Sequence, residues 1–367
     1  MSTLAPAVVS GTRISSIQTL RGIAAMLVVV VHALAFSDFL GSAGLNSVRY
    51  LGAIGVDIFF VISGFVMALS VQNRRGPRAA GDFLVLRWAR VAPPYIVVSV
   101  FMIAFLAAHD SLGPGPKKSL ANVFLFIPWF DSTGFSRTPL DVGWTLSLEF
   151  TFYLFVAVAV LLRIKAAYLI VIIVAVVVAG RLVPEPSFLV SWFTNPIFLE
   201  FAAGIAAYAL WRSGALRRTP WLWRTLGILG AVAVVIGCLV GYGEMGFLER
   251  TLDGTMSLQR VLWWGIPAAL IFTAVVGGLP ELGGPIGHVG SKLGNASYSI
   301  YLVHFPTMLL AKPFIGMLPQ GLAFVVLIVG GTAVGMGFYR WAELPLTRLA
   351  RRAADRVLHV GAPSPHP

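Results

Sequence analysis

The sequence predicts an all-α, polytopic membrane protein of about ten transmembrane helices. Three observations predict it. Of the 367 residues, 57% are hydrophobic and only 11% charged, with a mean hydropathy of +0.85. That composition lies outside the range of soluble domains. Apolar windows long enough to cross a hydrocarbon core of about 30 Å recur along the whole chain. No stretch shows the roughly ten-residue alternation of an outer-membrane barrel.

The windows run near 17–37, 52–72, 91–108, 144–163, 166–183, 195–212, 225–242, 260–279, 294–311 and 321–340. The first resembles a secretory signal in having Arg13 and Arg21 before an apolar core and Ala33-Leu34-Ala35 after it. His32 interrupts that core and the run continues to Phe36, so we read a retained span. The fourth and fifth windows are separated only by Arg163-Ile164-Lys165, a tight hairpin. Residues 119–130 are apolar but short and are broken by Pro128, which predicts an interfacial or re-entrant segment. Residues 1–356 form one transmembrane domain in this reading, and 357–367 a short disordered tail.

The net charge of +12 belongs to orientation rather than to nucleic acid. With the N-terminus in the cytoplasm, nineteen of the 27 Lys and Arg fall on the cytoplasmic side. Both termini are then inside and residues 110–143 outside. An odd number of spans would put the basic tail after Arg340 on the wrong side. The single cysteine, Cys238, permits no intramolecular disulfide. Neither a nucleotide-binding Gly loop nor metal-ligand spacing appears, so no metal is expected.

Against this apolar background the polar residues stand out. Arg21 and His32 are eleven residues apart, so on a helix they share a face to within roughly 20° and are separated by about 16 Å. That sets His32 deep in the bilayer, where an ionisable group marks a functional site by default. A neutral imidazole in an apolar site can act as base or nucleophile. Within GVDIFFVISGF (55–65), Asp57 is either an orienting carboxylate or an interfacial one. Ser63 and Gly64 are small residues suited to helix packing, and Ser63 is also a candidate site residue.

Arg87 and Arg90, in the basic loop after the second span, fall three apart on one helical face at the inner surface. That arrangement suits phosphate oxygens and equally the positive-inside bias. Glu149 lies about one turn into WTLSLEFTFY and demands a partner or a proton. Glu200 has no motif, and a structural role is favoured. Tyr298, Tyr301 and His304 form a polar stripe in YSIYLVH, and Glu343 caps or pairs near the inner end of the last span.

At these residues the chain resembles the acyltransferase 3 family of integral membrane acyltransferases, over roughly residues 14–350. The resemblance is carried by Arg21 followed after ten residues by His32, GVDIFFVISGF, the Arg87-x-x-Arg90 pair, WTLSLEFTFY, YSIYLVH and Glu343-x-Pro345. Such proteins move an acyl group, often acetyl, from acyl-CoA to a hydroxyl of a glycan or a small molecule. The resemblance implies His32 as the catalytic histidine, Glu149 as an active-site carboxylate, and Arg21, Arg87 and Arg90 as donor-binding residues. It implies acyl-CoA, with acetyl-CoA expected, as donor and a carbohydrate or glycolipid as acceptor. It also implies a site in a bacterial inner membrane. The rival reading from the residues alone is a proton-coupled transporter of a small solute, which would also want His32, Asp57 and Glu149 inside the bilayer.

Overall fold

The computed structural model describes residues 8–9, 12–13, 15–39, 48–109, 111, 116–126, 129–131, 134–136, 138–240, 251–252, 254–277, 279 and 284–360. The expected breaker Pro128 and residues 361–367 of the expected tail lie outside the described residues, whereas residues 357–360 of that tail continue the last helix. Helix α1 is Ser15–Ser37, α2 Ile54–Val71, α3 Pro77–Ala108, α4 Pro116–Leu125, α5 Trp144–Leu161 and α6 Ala166–Arg181. Then come α7 Phe188–Phe193, α8 Phe198–Arg212, α9 Ala215–Arg218, α10 Pro220–Leu239 and α11 Ser257–Gly277. The chain closes with α12 Gly284–Ile315, α13 Gln320–Phe338 and α14 Leu344–Val360. Two short antiparallel strand pairs, Val8–Val9 with Thr12–Arg13 and Trp129–Asp131 with Gly134–Ser136, are the strands among the described residues.

Among the described residues, eight helices are long and apolar enough to cross a membrane, with Phe188–Arg212 and Gln320–Leu358 each counted as one run. Two of the ten expected spans fall short of that standard for different reasons. Helix α6, with 16 residues, is about 24 Å long. Helix α12 is long enough at 32 residues, but its polar residues dilute it. Many of them face inward: Ser297, Ser299 and His304 are fully buried. A span that turns polar groups toward neighbouring helices need not look apolar in sequence.

The basic segment before the third window is helical instead of a loop. Residues 77–90 continue without a break through Pro93 and Pro94 into the span. Helix α4 folds back along it: the Trp88 indole N–H donates to Phe124 O at 3.4 Å, and Tyr95 Oη bonds Asn122 Oδ1 at 3.3 Å. Trp88 lies twenty residues before the end of α3 at Ala108, about 30 Å along its axis. Residues 116–126 therefore re-enter the molecule.

Two backbone crossings set the helices that carry the site. Helix α1 packs most extensively on α12. There a Cβ on Gly294 would stand 1.9 Å from Gln18 O, and one on Gly22 2.9 Å from Gly294 N. Helix α2 meets α8 where Gly64 faces Phe201 O at 2.0 Å and Gly204 faces Val61 O at 2.1 Å, measured to the Cβ each lacks. In lipid, where apolar burial does not drive helix association, such close approach supplies the packing.

Candidate active site

A cavity of about 170 Å³ opens among α1, α2, α3, α5, α12 and the π-helical turn Tyr339–Glu343. Three guanidinium groups reach it, from Arg21, Arg87 and Arg90, and two carboxyl groups, from Glu149 and Glu343. Arg90 is solvent-exposed and stands at the mouth, while Arg87 is half-buried with its guanidinium over the Phe83 ring at 5.5 Å. Arg21 Nε is buried with no hydrogen-bond partner among the described residues. The wall thus has one more cation than anions and a buried donor without an acceptor. That arrangement suits an anionic ligand.

The carboxyl groups are held by neighbours. Glu149 Oε1 accepts from Ser63 Oγ at 3.0 Å and from Tyr153 Oη at 2.5 Å. Glu343 Oε2 accepts from Ser299 Oγ at 2.5 Å. Tyr298 donates to Val91 O at 2.6 Å and so ties α12 to α3 beside the two arginines. Of the small pair in α2, Ser63 faces the cavity and Gly64 makes the helix crossing. Each of the two sequence readings fits one of the residues.

His32 does not line this cavity. It stands against His304, with Nδ1 2.9 Å from Val28 O and 3.2 Å from His304 Nε2. His304 Nδ1 is 3.0 Å from Ile300 O. Carbonyl oxygens only accept, so the network assigns a proton to Nδ1 of both neutral rings. The single His32 Nδ1–H is then shared between Val28 O and the lone pair of His304 Nε2, and His32 Nε2 keeps a lone pair. Tyr301 links pair and cavity. It lines the cavity, donates to Val142 O at 3.0 Å, touches Thr145 Oγ1 at 2.9 Å and stands 6.0 Å from the His304 ring.

Asp57 is not on the cavity wall either. It is fully buried and bonded through both oxygens to Arg260, at 2.9 Å to Nε and 3.0 Å to Nη2. Arg260 is 2% exposed and lies over the Trp144 and Trp264 rings. No local signal pairs residues 203 apart in sequence. Glu200, also buried, stands beside Asp57 and Arg260 in the same cluster, and Gly265 leaves room for it. Tyr153 escaped the sequence reading although a signal existed: it is four residues after Glu149, on the same helical face.

Residues 14–340 match the family described as acyltransferase domain. The chain is similar to the exopolysaccharide production protein ExoZ of Rhizobium meliloti, 31% identical over 82% of this chain and 91% of that protein. It is similar to the acyltransferase MdmB of Streptomyces mycarofaciens, 29% identical over 80% of this chain and 78% of that one. It is also 24% identical to the peptidoglycan O-acetyltransferase OatA of Listeria monocytogenes, over 91% of this chain but 56% of OatA. No solved structure matches the chain. With a multi-pass helical bundle, an arginine-lined cavity and a match that covers most of its length, the chain belongs to the acyltransferase 3 family and is an acyltransferase.

Proposed function

We propose that the protein is a membrane O-acyltransferase that moves an acyl group, acetyl in the simplest case, from cytoplasmic acyl-CoA to a hydroxyl of a cell-surface or exported glycan. Its location in this reading is a bacterial inner membrane, with both termini in the cytoplasm. The observation that carries the reading is the cation-rich cavity with Tyr301 on its wall, 6.0 Å from the ring of His304, which in turn contacts His32. Arg21, Arg87 and Arg90 would hold the donor's phosphates, because guanidinium forks match phosphate oxygens and acyl-CoA carries several. The thin pantetheine arm would run inward between helices toward His32. The names of ExoZ and OatA, which concern exopolysaccharide and peptidoglycan, favour a glycan acceptor.

In the transfer, His32 Nε2 takes the proton of the acceptor hydroxyl as its oxygen bonds the acyl carbon. The C–S bond breaks and the departing thiolate recovers the proton, leaving an ester and free CoA thiol. A short-lived acyl-imidazole on the same nitrogen gives the same balance in two steps. In both routes the ring becomes cationic, and His304 Nε2, accepting from Nδ1–H, stabilises it. Ser63 and Tyr153 would orient Glu149 toward the donor.

The test is thioester cleavage and transfer. Purified protein given acetyl-CoA and a glycan acceptor should release free thiol and acylate the glycan. His32→Ala and His32→Gln should both lose at least about a hundredfold of this rate, because a positioned base contributes roughly 10²–10⁴. If His32→Gln, present at wild-type level in the membrane, keeps most of the activity, His32 is structural and the mechanism fails.

A further inference from the structure

Outside the cavity, α14 carries an unpaired basic stripe among the described residues. Arg348, Arg352 and Arg356 recur every four residues, so they occupy an arc of about 80° on one helical face. All three are exposed, and none has a hydrogen-bond or ion-pair partner among the described residues. Arg351 differs: it is less exposed and lies 4.0 Å from Asp355. The adjacent stripe is apolar, with Leu349 67% and Val357 69% exposed and Ala353 between them. The opposite face is buried at Ala354 and packs on α3, where Arg78 Nη2 donates to Leu358 O at 3.3 Å.

Length decides how this helix sits. The 19 residues of α13 rise about 28 Å and already cross a hydrocarbon core. Gln320–Leu358, 39 residues, would reach about 58 Å as one straight rod. Three unpaired guanidinium groups cannot face acyl chains, and Leu349 and Val357 gain nothing from facing water. Only the interface satisfies both stripes. Trp341, 80% exposed just before α14, is the kind of ring that anchors at that depth.

We propose that α14 lies in the plane of one leaflet and docks on anionic phospholipid headgroups, with Arg348, Arg352 and Arg356 on the phosphates and Leu349 and Val357 among the upper acyl carbons. A basic stripe beside an apolar one is how interfacial helices select anionic lipid. The occupant is a lipid headgroup, not a soluble phosphate, because the apolar stripe has no use for the latter.

The experiment uses the full-length protein, purified in a neutral detergent and titrated with phosphatidylglycerol or phosphatidylcholine, with bound lipid counted by native mass spectrometry. The wild type should retain phosphatidylglycerol in preference to phosphatidylcholine. The triple variant Arg348→Gln, Arg352→Gln, Arg356→Gln should lose affinity for phosphatidylglycerol on the order of 100-fold. Excess inorganic phosphate should not displace the lipid; if it does, the stripe is a soluble-anion site and the proposal fails. Should the triple variant not fold, raising salt with the wild type serves instead, since headgroup attraction falls within a Debye length of about 10 Å at 0.1 M. Equal retention of both lipids, or retention of phosphatidylglycerol unmoved by the substitutions or by salt, would overturn it.

Discussion

At the scale of single residues, the proposed mechanism divides the work between two histidines. His32 presents its Nε2 and His304 fixes its ring. His304→Phe removes the acceptor at 3.2 Å but keeps a buried ring of similar shape. The loss of one such bond, about 1–3 kcal/mol, predicts a roughly 5- to 150-fold fall in kcat. The pH–rate profile should move with it while donor affinity stays unchanged. Unaltered pH dependence in His304→Phe would leave His304 a packing residue. Arg87→Ala and Arg90→Ala should act on the other parameter, weakening acyl-CoA binding about 10- to 100-fold with membrane insertion intact. Calorimetric titration of CoA into both variants checks this, and unchanged affinity in both would refute the donor assignment. Asp57 and Arg260 concern stability instead. Removing either partner strands a buried charge, so Asp57→Ala or Arg260→Ala should destabilise by about 3–5 kcal/mol. The double variant should lose less than the sum, read from thermal unfolding in detergent.

At the scale of elements, the site depends on how closely α2 approaches α8 and α1 approaches α12. Gly64 and Gly204 face each other's helices with no room for a Cβ. Gly64→Val should therefore push α2 off α8, costing at least about 1–3 kcal/mol, and displace Ser63 from Glu149. The checks are melting temperature and thiol release measured on the same preparation; a variant with wild-type values for both would show that the crossing is not tight. Local spacing made some of this legible. The eleven-residue interval put Arg21 and His32 on one face, and the short apolar run at 119–130 read as a segment that does not span. Other parts were hidden, as with the helical residues 77–90: nothing in a basic, proline-flanked segment announces that it continues a span.

At the scale of the whole molecule, the charge bias requires an even number of crossings. The eight long apolar helices with α6 and α12 make ten, among the described residues. Reporter fusions at Arg356 and Ser132 should then give opposite signals. Matching signals would mean that one helix fails to cross and that the cavity mouth at Arg90 does not face the donor's compartment.

The sequence by itself determined that this chain is a multi-pass helical membrane protein, because hydropathy is a property of each window and needs no neighbour. It also determined which polar residues must be expensive in that setting, since each stands alone in an apolar run. The tertiary structure decided how those residues are satisfied. Ser63 meets Glu149 across 86 residues, Asp57 meets Arg260 across 203 and His32 meets His304 across 272. The physical reason is that burial states only that a polar group needs a partner. Which partner it finds is set by helix crossings, and those depend on backbone approach at a few glycines and on the order in which the helices pack.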